Sequence, residues 1–392
     1  MELVEYLRVM VEKNASDLYL TVASPPVFRI EGVMQPIGDH AFTAGELEEL
    51  AKAAMNEKQW IEFSQRNEMD LALVLSVPRL SRFRVNILRQ RGSAALVIRT
   101  IKYEIKTLDE LGLPPTLKDV SIKKRGLVLV VGATGTGKST TLAAMIDHRN
   151  TYGPGHIVTV EDPIEFVHKH KKCIVTQREL GFDTYSFSEA LKRAVRQAPD
   201  MIMIGEIRDT DSMEAAITFA DTGHLCVATL HSANAYQTLE RILNFFPEGR
   251  HAQILMQLSL NLRGIISQRL IPSVDGMRIP ALEILIDTPR IKDLIKAGEI
   301  NQLLEGMEHG IHEGCQTFEH ALFTLYKQGK ITVEQALANS DSANNLRLKI
   351  ALDGSKGDDG LGNLVGREDQ KGEKGLRIKR VDGSIAASFR KL

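Results

Sequence analysis

The octet Gly132-Ala133-Thr134-Gly135-Thr136-Gly137-Lys138-Ser139 fits G-x-x-x-x-G-K-[ST], the spacing of a loop that wraps phosphate. Glycines at these positions let backbone N–H groups turn inward around phosphate oxygens. Lys138 supplies charge for the β- and γ-phosphates, and the Ser139 hydroxyl is a ligand for Mg²⁺. Gly132, Thr134, Gly135, Thr136, Gly137 and Thr140 complete the set expected to hold a nucleoside triphosphate. A loop of this kind works only between a strand and a helix. The apolar run Leu127–Val131 precedes it, and Leu142, Met145 and Ile146 follow at helical spacing. ATP with Mg²⁺ is the expected ligand pair.

Further polar groups stand at the ends of later apolar runs. His156 to Val160 ends at Glu161-Asp162-Pro163-Ile164-Glu165, Met201 to Ile204 at Gly205-Glu206-Ile207-Arg208-Asp209, and Leu225 to Leu230 at His231. In a parallel sheet these ends share one edge, where ligands bind. Lys138, Glu161, Glu165, Glu206 and His231 are therefore expected together. Phosphoryl transfer to water needs a positioned water, a metal that screens the oxygens and donors for the developing charge. Glu206, in a Walker-B-like position, is assigned to Mg²⁺ through its water shell, with Ser139. Glu165 is assigned to polarising the attacking water and His231 to sensing the γ-phosphate. Asp209 is expected to cap the helix that follows, and His224 is a weaker candidate than His231. His168-Lys169-His170-Lys171-Lys172 reads as a solvated loop face, since no aromatic residue interleaves it.

Apolar runs, loops and helices alternate from about Thr116 to Asn339, which implies a mostly parallel sheet with crossover helices. Residues 1–106 read as a mixed α/β domain. Its helix is expected at Leu3–Glu12 and its strands at 17–22 and 27–30. One helical stretch follows at 43–65, then a hairpin around Gly92. Residues 107–118 are the expected linker, with a hinge near Pro114, and 119–340 the nucleotide-binding domain. Residues 341–392 read as a glycine-rich charged tail, largely disordered from about Asp353, because it has too little apolar surface to offset chain entropy.

A net charge of −1 gives no global attraction to nucleic acid, and no nucleic-acid partner is expected. Three scattered cysteines suit a reducing compartment and inert thiols. No apolar run has the length of a membrane span, so direct membrane insertion is not expected.

Together the loop, the acidic box Glu161–Glu165, Gly205-Glu206-Ile207-Arg208-Asp209 and Thr229-Leu230-His231 resemble the secretion ATPase superfamily. Ala15-Ser16-Asp17-Leu18, Phe83-Arg84-Val85-Asn86 and Gln90-Arg91-Gly92 extend the resemblance through the N-terminal part, so that it covers roughly residues 1–340. Within the superfamily the chain is similar to the type IV pilus retraction branch, PilT and PilU. It is nearer PilU, because Arg290–Ala297 departs from the Ala-Ile-Arg-Asn-Leu-Ile-Arg-Glu signature of PilT and a glycine-rich tail follows. The resemblance implies a PAS-like N-terminal α+β domain joined to a RecA-like ATPase domain. It also implies a cytoplasmic homohexameric ring at the inner face of the cell membrane, driving pilus retraction and twitching motility. A PilT-like paralogue and an inner-membrane platform protein would be its partners, with an accessory retraction role. By motif position Arg84 and Arg99 would reach the γ-phosphate, whereas Arg82 and Arg91 read as ordinary surface ion-pair formers. Two alternatives stay open: a nucleotide-gated assembly subunit with little turnover of its own, and a RecA-like ATPase stimulated by nucleic acid.

Overall fold

The computed structural model describes residues 2–75, 81–101 and 104–354 of the 392. The N-terminal part is an antiparallel sheet. Its strands are β1 (Asp17–Leu20), β2 (Val27–Ile30), β3 (Val33–Pro36), β4 (Glu68–Leu75), β5 (Ser81–Gln90) and β6 (Ser93–Ile101), in the order β3-β2-β1-β6-β5-β4. In β5 the even and odd positions separate cleanly. Phe83, Val85 and Ile87 are buried, while Arg82, Arg84 and Asn86 share the other face. Arg91 and Gly92 take positive φ, +51° and +80°, and so close the expected hairpin with the twist its strands need.

The second sheet contains β7 (Gly126–Val131), β8 (Gly155–Glu161), β9 (Cys173–Glu179), β10 (Met201–Ile204), β11 (Leu225–Leu230), β12 (Leu262–Pro272) and β13 (Arg278–Ile286). Their order is β13-β12-β7-β11-β10-β8-β9, and only β13 runs antiparallel to its neighbour. Strands β7 and β11 are buried at every residue, as a sheet covered by helices on both faces demands. Leu127, Leu129 and Val131 point into one core and Val128 and Val130 into the other. The expected two-part α/β architecture is thus present, with an antiparallel N-terminal sheet and a mostly parallel second one.

Three expectations need correction. The helical stretch 43–65 is two helices, Ala44–Ala54 and Glu57–Arg66, because Met55 is extended and Asn56 caps the second through Gln59. The proline segment is no free linker. Leu108, Leu113 and Leu117 are buried against Val128 and Met145, and Pro115 immediately precedes the helix Thr116–Ser121. Packed structure also continues past Ser340. Helix Ala343–Gly354 buries Leu346 and Ile350 against Ile271, Leu322 and Ala336. The remainder of the expected tail, 355–392, lies outside the described residues. All three cysteines are free and buried, as inert thiols should be.

Candidate nucleotide site

The loop after β7 owes its shape to three glycines. Gly132, Gly135 and Gly137 have φ of +151°, +77° and +87°, a region that other residues rarely enter. A Cβ on Gly132 would sit 2.6 Å from the Gln268 carbonyl oxygen. Gly137 opens the helix Lys138–Tyr152 directly, so the helix N-terminus faces whatever the loop encloses. Gln268, buried on β12, fixes the loop from below. Its Nε2 donates to the Thr136 carbonyl at 2.8 Å, and its Oε1 accepts from Thr141 Oγ1 at 2.7 Å. The sequence motifs do not single out Gln268, because it lies far along the chain. Lys138 Nζ donates to the carbonyls of Gly132 and Ala133 at 2.8 and 2.9 Å. Burial lowers its pKa, against the raising pull of Glu206 and Glu165.

A cleft of about 340 Å³ opens over this loop at the C-terminal edge of the sheet. Thr134, Gly135, Lys138, Ser139, Glu161, Glu165, Glu206 and His231 all line it. Gly132, Thr136, Gly137 and Thr140 belong to the same loop and helix start but do not line the cleft. Arg84 and Arg99 lie outside it, on the N-terminal sheet. They stand opposite each other on β5 and β6, where Arg99 Nε meets Asp17 at 2.7 Å and Arg84 Nε lies 3.8 Å from Asp70. His224 immediately precedes β11, at the opposite edge from His231, and its Nδ1 faces the Thr222 hydroxyl and the Phe219 carbonyl. It has no place in the cleft.

Glu206 is held on both sides. Arg208 reaches its Oε2 at 2.7 Å and His231 Nε2 its Oε1 at 3.0 Å, while Arg208 also touches Asp162 at 3.3 Å. The Thr229 hydroxyl donates to the Gly205 carbonyl and so ties the ends of β10 and β11 together. Asp209 caps its helix as expected, in a reciprocal pair with Ser212. Glu165 is exposed at the rim. Glu161 is different in kind: burial pushes its pKa up to about 7, although Thr159 Oγ1 and Gln177 Nε2 both donate to it, at 2.6 and 3.1 Å. Within the basic run, Lys169, His170 and Lys172 are exposed, as a solvated face requires. His168 is not. It lines the cleft, is 7% exposed, leaves Nδ1 without a partner, and burial drives its pKa down to about 4. The run of charges around it hides this burial in the sequence.

Arg82 also departs from expectation. Its NH2 lies 3.1 Å from Oε2 of Glu179, a buried residue at the end of β9. This ion pair joins the two parts of the chain, with Arg82 half-buried and Glu179 buried.

The arrangement offers backbone and lysine donors for phosphate, hard oxygen donors at Ser139 and Glu206, and an exposed carboxylate, Glu165, able to polarise water. Comparisons with known proteins agree with that chemistry. The family described as type II/IV secretion system protein matches residues 3–341. The type IV pilus ATPase PilU of Pseudomonas aeruginosa is 49% identical over 93% of this chain and 95% of its own length. The type IV pilus retraction ATPase PilT of the same organism is 42% identical over 86% and 97%. A crystal structure of the pilus retraction motor PilT with bound ADP superposes with a TM-score of 0.83 at 40% identity, covering 89% of this chain and 99% of that one. The chain belongs to the type II/IV secretion system family, in the type IV pilus retraction branch with PilU and PilT.

Proposed function

We propose that this chain is an ATP-hydrolysing motor subunit that powers type IV pilus retraction. The observation that carries this reading is the convergence of Lys138, Ser139, Glu165, Glu206 and His231 on one cleft over the glycine loop. The loop's N–H groups and Lys138 bind the phosphates. Glu165 orients a water for attack on the γ-phosphorus; the new P–O bond forms as the bond to the β-phosphate oxygen breaks, and ADP leaves with that electron pair. His231, resting against Glu206, senses whether the γ-phosphate is present. The donors fit Mg²⁺, which in nucleotide sites takes few protein oxygens and several waters: Ser139 would hold it directly and Glu206 through water. When bound, the ion would screen charge on the phosphate oxygens.

The same reading makes the working form a cytoplasmic homohexamer at the inner face of the membrane, acting on a platform protein. Among the described residues no helix is long and apolar enough to cross a membrane. Arg84 and Arg99 are proposed to serve the cleft of the next subunit, since they lie outside the chain's own. Helix Pro289–Ala297 contains the segment that differs from the PilT signature, which supports an accessory role beside a PilT-like paralogue.

The test is retraction in cells lacking their own retraction ATPases, with the wild type, Lys138→Ala and Glu206→Ala, each alone and with the paralogue. Purified protein is assayed in parallel for phosphate release with and without single-stranded DNA. The reading expects wild-type retraction to need the paralogue, both variants to be inactive, and DNA to change nothing. Retraction supported by either variant would contradict it.

A further inference from the structure

The ion pair between Arg82 and Glu179 has a geometry that a simple domain tether does not need. Glu179 Oε2 accepts from Arg82 NH2 at 3.1 Å and also from the backbone N–H of Ile164 at 3.4 Å. Ile164 is buried and stands immediately before Glu165. Register places Glu179 directly beside Glu161, the residue that starts the acidic box, and the Leu180 N–H donates to the Glu161 carbonyl at 2.8 Å. One buried carboxylate oxygen thus joins a guanidinium of the N-terminal sheet to the loop that carries the water-polarising glutamate.

We propose that Arg82 and Glu179 are positioning residues for hydrolysis, transmitting the placement of the N-terminal sheet to Glu165 through the Ile164 N–H. This rests on the hydrolytic reading of the cleft and deepens it. Three observations support it. Glu179 is buried, and a buried carboxylate keeps its charge, and hence its strength as an acceptor, only beside a cation. Burial raises the Glu179 pKa, and Arg82, the Ile164 N–H and the more distant Arg84 all pull it back, so the carboxylate's charge depends on this contact. Arg82 lies on the arginine face of β5, so the pair shares a surface with Arg84 and its cross-strand neighbour Arg99. Finally, a guanidinium grips a carboxylate best through two parallel bonds. Here one is made, and Arg82 Nε is buried without an acceptor. The contact has a tighter arrangement open to it, which a small movement of the N-terminal sheet would complete.

A purely structural tether and a positioning contact separate in steady-state kinetics of the full chain. Arg82→Met and Glu179→Gln are each expected to lower kcat about tenfold with the KM for ATP within about threefold of wild type. The double variant should fall no further than either single one, since both remove the same link. Arg82→Lys, which keeps the charge, should recover most of kcat. Thermal unfolding monitors folding of each variant. Wild-type kcat in Arg82→Met overturns the proposal. So does a double variant in which the two losses multiply, or a loss confined to KM. Glu206→Ala is run alongside: if it hydrolyses ATP normally, the reading of the cleft fails and the coupling with it, whereas normal Arg82→Met beside a dead Glu206→Ala removes the coupling alone.

Discussion

Between pH 4.5 and about 7 the unfolded chain carries Glu161 ionised, while the folded chain keeps its proton. The native state binds more protons there, so this residue makes stability fall as pH rises through that window and level off above it. His168 acts in the opposite sense. Neutral in the fold down to about pH 4, it makes stability rise between there and its usual 6.5. The two partly cancel in a single titration, so the informative quantity is the difference between wild type and Glu161→Gln. Urea unfolding at pH 4.5, 6 and 7.5 should show the wild type losing on the order of 3 kcal/mol against the variant across the range. A difference independent of pH would mean that Glu161 is solvated. At this scale the sequence was legible where chemistry is local. Lys138, Ser139, Glu165, Glu206 and His231 lie in short motifs at strand ends, and all of them line one cleft. Gln268, His168 and the Arg82–Glu179 pair were not legible. Each depends on a partner far along the chain, and a charged or amide side chain carries no mark of its burial.

Elements were read best where one period dominates. Helix Leu3–Glu12 and strand β5 follow their patterns, because each buries a single face. Strand β3 was missed because all four of its residues are exposed, leaving no alternation to detect. Asn56 was legible in principle, since Asn-x-x-Gln is a start signal, but the apolar period ran across it and won. Helix Ala343–Gly354 was concealed by the glycine-rich composition beyond it, although Leu346 and Ile350, four apart, give it an apolar seam. Leu346 is fully buried, so Leu346→Ala should destabilise the protein by about 2–5 kcal/mol in urea unfolding. An effect below about 0.5 kcal/mol would place this helix outside the packed structure.

In the whole molecule, the chain's own cleft holds acid, lysine and imidazole but not Arg84 or Arg99. Those two lie on the sheet whose Arg82 reaches back to the nucleotide domain. The proposed ring would account for both facts, with each N-terminal sheet touching the nucleotide domain of its own chain through Arg82 and serving the cleft next door through Arg84 and Arg99. Mixing tests this. Arg99→Ala and Glu206→Gln, each inactive alone, should regain phosphate release when co-assembled, because a Glu206→Gln subunit lends its arginine to an intact neighbouring cleft. Activity no greater than the sum of the two would argue that Arg99 works within its own chain or not at all.

The central claim is that one cleft both binds and hydrolyses ATP through Glu206 and its neighbours. Glu206→Gln preserves shape and removes charge, so its direct measurement pairs a fluorescent-ATP binding titration with single-turnover phosphate release. Binding within about threefold of wild type and turnover lower by about 10²–10⁴-fold is the predicted result. Turnover at the wild-type rate with nucleotide bound would contradict it.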